Sequence, residues 1–167
     1  MTDARLNALS PLDGRYADKC ADLAALFSEA ALIARRVRVE AAWFRQLADS
    51  GRFAALSRPS GAVKARLESL ARGVDEASVA RVKAIEREAN HDVKAVEYFV
   101  REQLASAGAP AADLEFVHFG CTSEDINNLA YALMLSEARE RVLLPAIAGV
   151  TAHLAGLAVR HASLAML

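Results

Sequence analysis

The sequence predicts an all-α protein, and three observations carry that reading. It holds 37 Ala and 21 Leu, against only 20 Val, Ile and Thr together. Alanine loses no side-chain entropy in a helix, whereas β-branched residues favour strands. Only 8 Gly and 4 Pro punctuate the 167 residues, and apolar residues recur at helical spacing over several long stretches. At 54% hydrophobic and 25% charged, the chain can bury a core. Its length fits one domain, or one domain with part of another. Lys and Arg number 20 against 21 Asp and Glu, so no basic excess points to nucleic acid or to an anionic membrane surface. Cys20 and Cys121 lie far apart and form no CxxC, which excludes a disulfide scaffold and most zinc sites and suits a reducing compartment. The first residues, MTDARLNALSPLDGRY, contain no apolar signal-peptide core. A soluble cytoplasmic protein is therefore expected.

The elements follow in order. Residues 1–17 read as an extended arm with a turn at Ser10-Pro11-Leu12-Asp13-Gly14. A helix is expected from Ser28 to Ala48, since Leu32, Val37, Ala41, Phe44 and Leu47 recur near helical spacing and Gly51 follows. A second runs from Ser60 to Arg72 and stops at Gly73. Asp75 opens a third, with Val79, Val82 and Ile85 on one face. Asn90-His91-Asp92 breaks the pattern, and Asp92 suits the N-cap of a helix from Val93 to Ser106. Gly108-Ala109-Pro110-Ala111 is the clearest boundary, dividing the chain into residues 1–111 and 112–167. Leu114–Phe119 is the only strand-like stretch, with a helical turn as its alternative. A long helical run then extends to Leu144, opened by Thr122 and Asp125 as a capping box, and Pro145 suits the start of a following helix.

From Val142 to Val159 there is no Asp, Glu, Lys or Arg, and Arg141 and Arg160 flank the stretch. Its length approaches that of a membrane span. Pro145, Thr151 and a near-central His153 argue against one, and a helix apolar on nearly all sides also suits the interior of a bundle. A bundle helix is the expectation, with no membrane.

The chemistry-bearing residues fall in three places. His91, His118, His153 and His161 show no metal-ligand spacing, and HExxH, GxSxG, P-loop and GxGxxG patterns are absent, so no metal and no cofactor are expected. In Asn90-His91-Asp92-Val93-Lys94, an imidazole beside a helix start could serve a ligand; it could equally be an incidental part of a cap. In Cys121-Thr122-Ser123-Glu124-Asp125, two hydroxyls beside free helix N–H groups could hold a carboxylate or phosphate, and strong capping is again the plain alternative. Asp13-Gly14-Arg15-Tyr16 is a turn whose Arg could grip a phosphate.

Taken together, SPLDGRY, NHDVKAVEYF and HFGCTSEDINN closely resemble the adenylosuccinate lyase family, its bacterial branch in particular, within the fumarase and aspartase superfamily. The resemblance runs from Leu9 to Leu167 with the motifs in order. It implies an N-terminal helical domain over 1–111, and the first long helices of a central helical bundle over 112–167. It also implies an enzyme that releases fumarate from adenylosuccinate, giving AMP, and from the succinylated aminoimidazole carboxamide ribotide, as a homotetramer without a cofactor.

Carried over by residue, the resemblance assigns Arg15 and Tyr16 to the nucleotide phosphate. It assigns Asn90, His91 and Asp92 to substrate binding, with His91 assisting catalysis, and Thr122 and Ser123 to the succinyl part. The family's Thr-His-Gly-Gln-Pro-Ala run, with the histidine regarded as the general acid, and its serine-bearing loop with the base, are expected beyond Leu167. On that reading residues 1–167 are an N-terminal part, inactive alone. The rival reading is a non-enzymatic helical module that binds partner helices through Val142–Val159.

Overall fold

The computed structural model describes residues 4–165, and the described residues contain helices and turns but no strand. Eight α-helices follow one another: α1 Ala21–Phe27, α2 Glu29–Ser50, α3 Gly61–Arg72, α4 Glu76–Ala89, α5 Asp92–Ser106, α6 Ala111–Leu114, α7 Ser123–Ala138 and α8 Leu144–Arg160. The all-α expectation holds. The chain divides into two compact units, Phe27–Met134 and the segments before and after it.

In the central unit the helix starts are set by side chains that satisfy otherwise orphaned N–H groups. Ser28 accepts from the Ala31 N–H, Ser60 from Val63 and Asp75 from Ser78. Helix α2 ends at Gly51, whose φ of 65° lies in the left-handed region that glycine enters without penalty. Helix α4 ends on Asn90 with φ 50°, a conformation asparagine tolerates better than most residues. The start of α5 departs from expectation. His91, not Asp92, is the cap, its side chain accepting the Lys94 N–H, and Asp92 is the first helical residue.

One core unites these helices. Ile33, Val37, Ala41 and Phe44 of α2 pack with Val63, Leu67 and Leu70 of α3, Val82 and Ile85 of α4, and Val96, Phe99, Val100 and Leu104 of α5. Full burial of each valine, leucine, isoleucine or phenylalanine among them contributes roughly 1.5–3 kcal/mol. The strand-like stretch Leu114–Phe119 is the last residue of α6 followed by a series of turns. Phe116 N–H bonds to Asp113 C=O, and Val117 N–H to Leu114 C=O, while the Phe116 and Val117 side chains enter the core. Its apolar residues thus bury against helices, with no second strand to pair with among the described residues.

In the other unit, the arm is wound rather than extended. Ala4–Asn7 and Ala17–Lys19 are 3-10 turns, and between them Asp13 Oδ1 accepts from both the N–H and the hydroxyl of Ser10. The short helix α1 carried no periodic signal long enough to anticipate. Pro145 stands in the first turn of α8, the place expected of it, within the helical run Ser123–Arg160. A π turn, Arg139–Leu143, precedes α8, and the Leu144 N–H reaches back to the Arg139 C=O. The wider turn accommodates a proline ring that has no N–H and would crowd the carbonyl four residues earlier. By length and composition alone this run is apolar enough to cross a membrane. No residue of α8 is buried.

Candidate functional site

The Asn90–Asp92 turn lines a polar cleft of about 710 Å³ whose walls also carry Arg36, Lys83, Arg87 and Tyr131. His91 stands half exposed at its edge. Its Nδ1 accepts the Lys94 N–H at 3.1 Å, so that nitrogen carries no proton and the neutral ring is protonated at Nε2. Asp92 Oδ1 lies 3.7 Å from the same Nδ1, too far for a hydrogen bond. Burial opposes ionisation of Asp92, but the Val93 N–H and the Arg36 guanidinium outweigh it, holding the carboxyl below its usual range. Lys83 is held in its charged form by hydrogen bonds from its ammonium to Glu86 and Glu29.

The start of α7 is built differently at Thr122 and Ser123. The Thr122 N–H and hydroxyl both donate to Asp125 Oδ2, at 2.7 and 2.9 Å, which draws the Asp125 carboxyl below its ordinary value. Both bonds run from Thr122 to Asp125, so only the carboxylate half of the expected capping box forms, and the Thr122 hydroxyl is engaged as a donor within its own helix. Ser123 opens the helix half-buried, and its hydroxyl has no hydrogen-bond partner among the described residues. A hydroxyl beside the N–H groups of a helix's first turn can hold an anionic ligand group.

Helix α2 joins these segments. Arg36, 4% exposed, sends Nη2 to within 2.7 Å of Asp92 Oδ2, and its Nε donates to Asn127 Oδ1 at 2.9 Å. Val39 packs with Val93 of α5 and Ile126 of α7. One turn further, the fully buried Glu40 meets His118 Nδ1 at 2.5 Å, and Trp43 Nε1 donates to the Phe119 C=O at 2.9 Å. The Glu40 hydrogen bond raises the His118 pKa above its ordinary value against the opposing effect of burial. Arg15 and Tyr16 belong to the other unit. Both are exposed, and the Arg15 guanidinium lies 4.8 Å from the centre of the Tyr16 ring.

With the site's parts located, similarity to known proteins decides the family. A family model described as Lyase matches residues 14–167. The chain belongs to this lyase family. Among curated relatives, the adenylosuccinate lyase of Haemophilus influenzae is 50% identical over 140 residues, which is 84% of this chain and 31% of that protein. The adenylosuccinate lyase of Escherichia coli K12 is 46% identical over the same length. That of Legionella pneumophila, strain Corby, is 40% identical over all 167 residues, 37% of its own length. This lyase-family chain therefore spans about a third of the length of the curated relatives it matches. The resemblance carried by the three motifs is borne out.

Sequence reasoning singled out Asn90, His91, Asp92, Thr122 and Ser123; of these Asp92 meets α2 directly through Arg36, while the neighbouring Val93, Ile126 and Asn127 meet it through Val39 and Arg36. It missed Arg36 and Glu40. The available signal was two charged residues four apart inside an otherwise apolar helical stripe, which solvent-facing residues can imitate.

Proposed function

We propose that the chain is the N-terminal part of an adenylosuccinate lyase that continues past Leu167. The observation that carries the proposal is the 40% identity to the Legionella pneumophila enzyme along the whole chain, motifs included. The reaction is a β-elimination of fumarate from adenylosuccinate, giving AMP, and from the succinylated aminoimidazole carboxamide ribotide. A base removes a proton next to a carboxylate, an acid protonates the departing nitrogen, and negative charge gathers on the carboxylate in between. Fixed donors around that carboxylate then contribute most.

Ser123, with its unengaged hydroxyl at a helix start, suits the succinyl carboxylate, together with Thr122. Asn90, His91 and Asp92 bind substrate in the polar cleft, with the His91 Nε2–H as a donor that assists catalysis. Arg15 and Tyr16 take the nucleotide phosphate. The main acid and base lie beyond Leu167. Residues 1–111 form the N-terminal domain and 112–167 the start of the central bundle. The enzyme is a cytoplasmic homotetramer that needs no cofactor and binds neither nucleic acid nor membrane; α8 supplies apolar bundle surface. The relatives are enzymes, which favours this reading over a non-enzymatic module.

The test follows fumarate release from adenylosuccinate by the longer protein and by residues 1–167 alone. Turnover by the longer protein only is the expected result. A lone acid or base contributes typically about 10²–10⁴-fold, so His91 by itself leaves the short chain without measurable turnover. Turnover by residues 1–167 comparable to the longer protein would overturn the placement of the acid and base. No turnover by either would overturn the lyase reading.

A further inference from the structure

The two motif segments are separated in sequence by α5 and α6, yet a single side chain from α2 bonds to both. Arg36 is buried, and its two hydrogen-bonding directions are split between Asp92, which closes the Asn90–Asp92 turn, and Asn127, four residues after Ser123. The guanidinium is planar and rigid, so the angle between its Nε–H and Nη2–H directions is fixed. That rigidity passes to whatever it holds. A stabilising role alone explains the arrangement poorly. Buried ion pairs are weak contributors to stability compared with well-packed apolar residues, and the Asp92 side chain is itself half exposed at the cleft. The Asn127 amide is also oriented from its other side, donating through Nδ2 to Glu124 Oε1, so its oxygen is presented to Arg36.

We infer that Arg36 is a positioning residue, which locks the Asn90–Asp92 turn to the first turns of α7 so that the two segments meet one substrate at a set spacing. The inference rests on the lyase reading for the identity of that substrate. In this role Arg36 acts through Asp92 and Asn127.

The test uses the full-length lyase with three variants: Arg36→Lys, Asn127→Ala and the double variant. Lysine keeps the charge but is a point donor on a flexible stem, and it cannot hold both acceptors in one fixed geometry. A small misplacement of binding groups can cost about 10²-fold, so a fall in kcat/KM of that order is expected for Arg36→Lys. Asn127→Ala cuts only the α7 arm and keeps the test alive if Arg36→Lys does not fold. The double variant should be no worse than the poorer single variant, because both remove the same link. Normal kcat and KM per folded enzyme, with only the melting temperature lowered, would overturn the inference; so would fully additive losses.

Failure of the lyase reading is separable. If the wild-type enzyme releases no fumarate, hydrogen exchange decides the Arg36 question by itself. In Arg36→Lys, the Lys94 amide capped by His91 and the Ile126 and Asn127 amides should lose protection together. Loss at one end only would overturn the link.

Discussion

Replacing His118 with asparagine isolates the energy of the Glu40–His118 pair. Asparagine is the appropriate substitute because His118 sits at φ 63°, a left-handed conformation that asparagine tolerates and alanine or leucine does not. The substitution removes the imidazole and adds little backbone strain. Glu40 is 0% exposed, His118 Nδ1 is its only hydrogen-bond partner among the described residues, and Oε2 already has none. The variant therefore leaves a buried carboxylate without a cation. Removing one member of a buried pair costs about 3–5 kcal/mol. The His118 side chain is 17% exposed, so some of its charge is hydrated, and the lower half of that range is expected. Even so, that is a large share of the typical stability of about 5–15 kcal/mol.

The effect carries a pH signature. The folded imidazole holds its proton to higher pH than its ordinary 6.5, because Glu40 accepts from it. The stabilisation is therefore fully present below the unfolded value and fades as pH climbs through the folded one. Urea unfolding of wild type and His118→Asn across about pH 5 to 9 reads it directly. The stability difference should be greatest at the acid end and shrink steadily toward the alkaline end. A difference that does not vary with pH would refute the charged-pair reasoning, and Glu40→Gln should lose the same pH dependence at a smaller cost of about 1–3 kcal/mol.

Other outcomes follow from the same geometry. Ser123→Ala removes a hydroxyl with no protein partner, so stability should stay within about 0.5 kcal/mol, while full-length turnover falls by the equivalent of about 1.5–3 kcal/mol if that hydroxyl meets a carboxylate; steady-state kinetics at wild-type level would reduce it to an ordinary helix residue. Ser28→Ala and Ser60→Ala each delete an N-cap and should cost about 0.5–2 kcal/mol in denaturant unfolding, whereas unchanged midpoints would mean water replaces the caps. Ile147, Val150 and Leu154 of α8 are all about 60% exposed, so the chain alone should self-associate in sedimentation velocity, and a monodisperse monomer would contradict this.

The helices that were legible in the sequence are those whose start and stop rest on local chemistry. Ser28, Ser60 and Asp75 stand before apolar-periodic runs, and Gly51 and Gly73 stand after them, so neighbouring residues alone set the bounds of α2, α3 and the start of α4. His91 escaped because an imidazole caps a helix only when its Nδ1 is turned to the third N–H, which spacing cannot report. Leu114–Phe119 remained ambiguous because a short apolar run reads alike as strand or turn until its packing partners are known. The motif residues were legible through resemblance, but the engagement of Thr122 and the freedom of Ser123 depend on where the Asp125 carboxylate points. Arg36 and Glu40 depend on partners dozens of residues away.

Those distant partners give α2 a second task beside the core. Arg36, Glu40 and Trp43 are spaced four and three residues apart, which places them along one face of the helix. A helix face that buries an arginine and a glutamate is costly unless each charged group finds a partner, and the half-buried Trp43 adds an indole N–H beside them. Here each partner lies in or beside a motif segment: Asp92 and Asn127 for Arg36, His118 for Glu40 and the Phe119 carbonyl for Trp43. Between them Val39 closes an apolar contact with Val93 and Ile126, the residues that follow Asp92 and Asp125. The polar partners fix direction, since hydrogen bonds weaken steeply off axis, and the apolar contact fixes distance. A substitution on this face therefore reaches the motif segments through α2, whereas one on the adjacent stripe of α2, at Val37 or Phe44, acts on the core and shows first as lost stability.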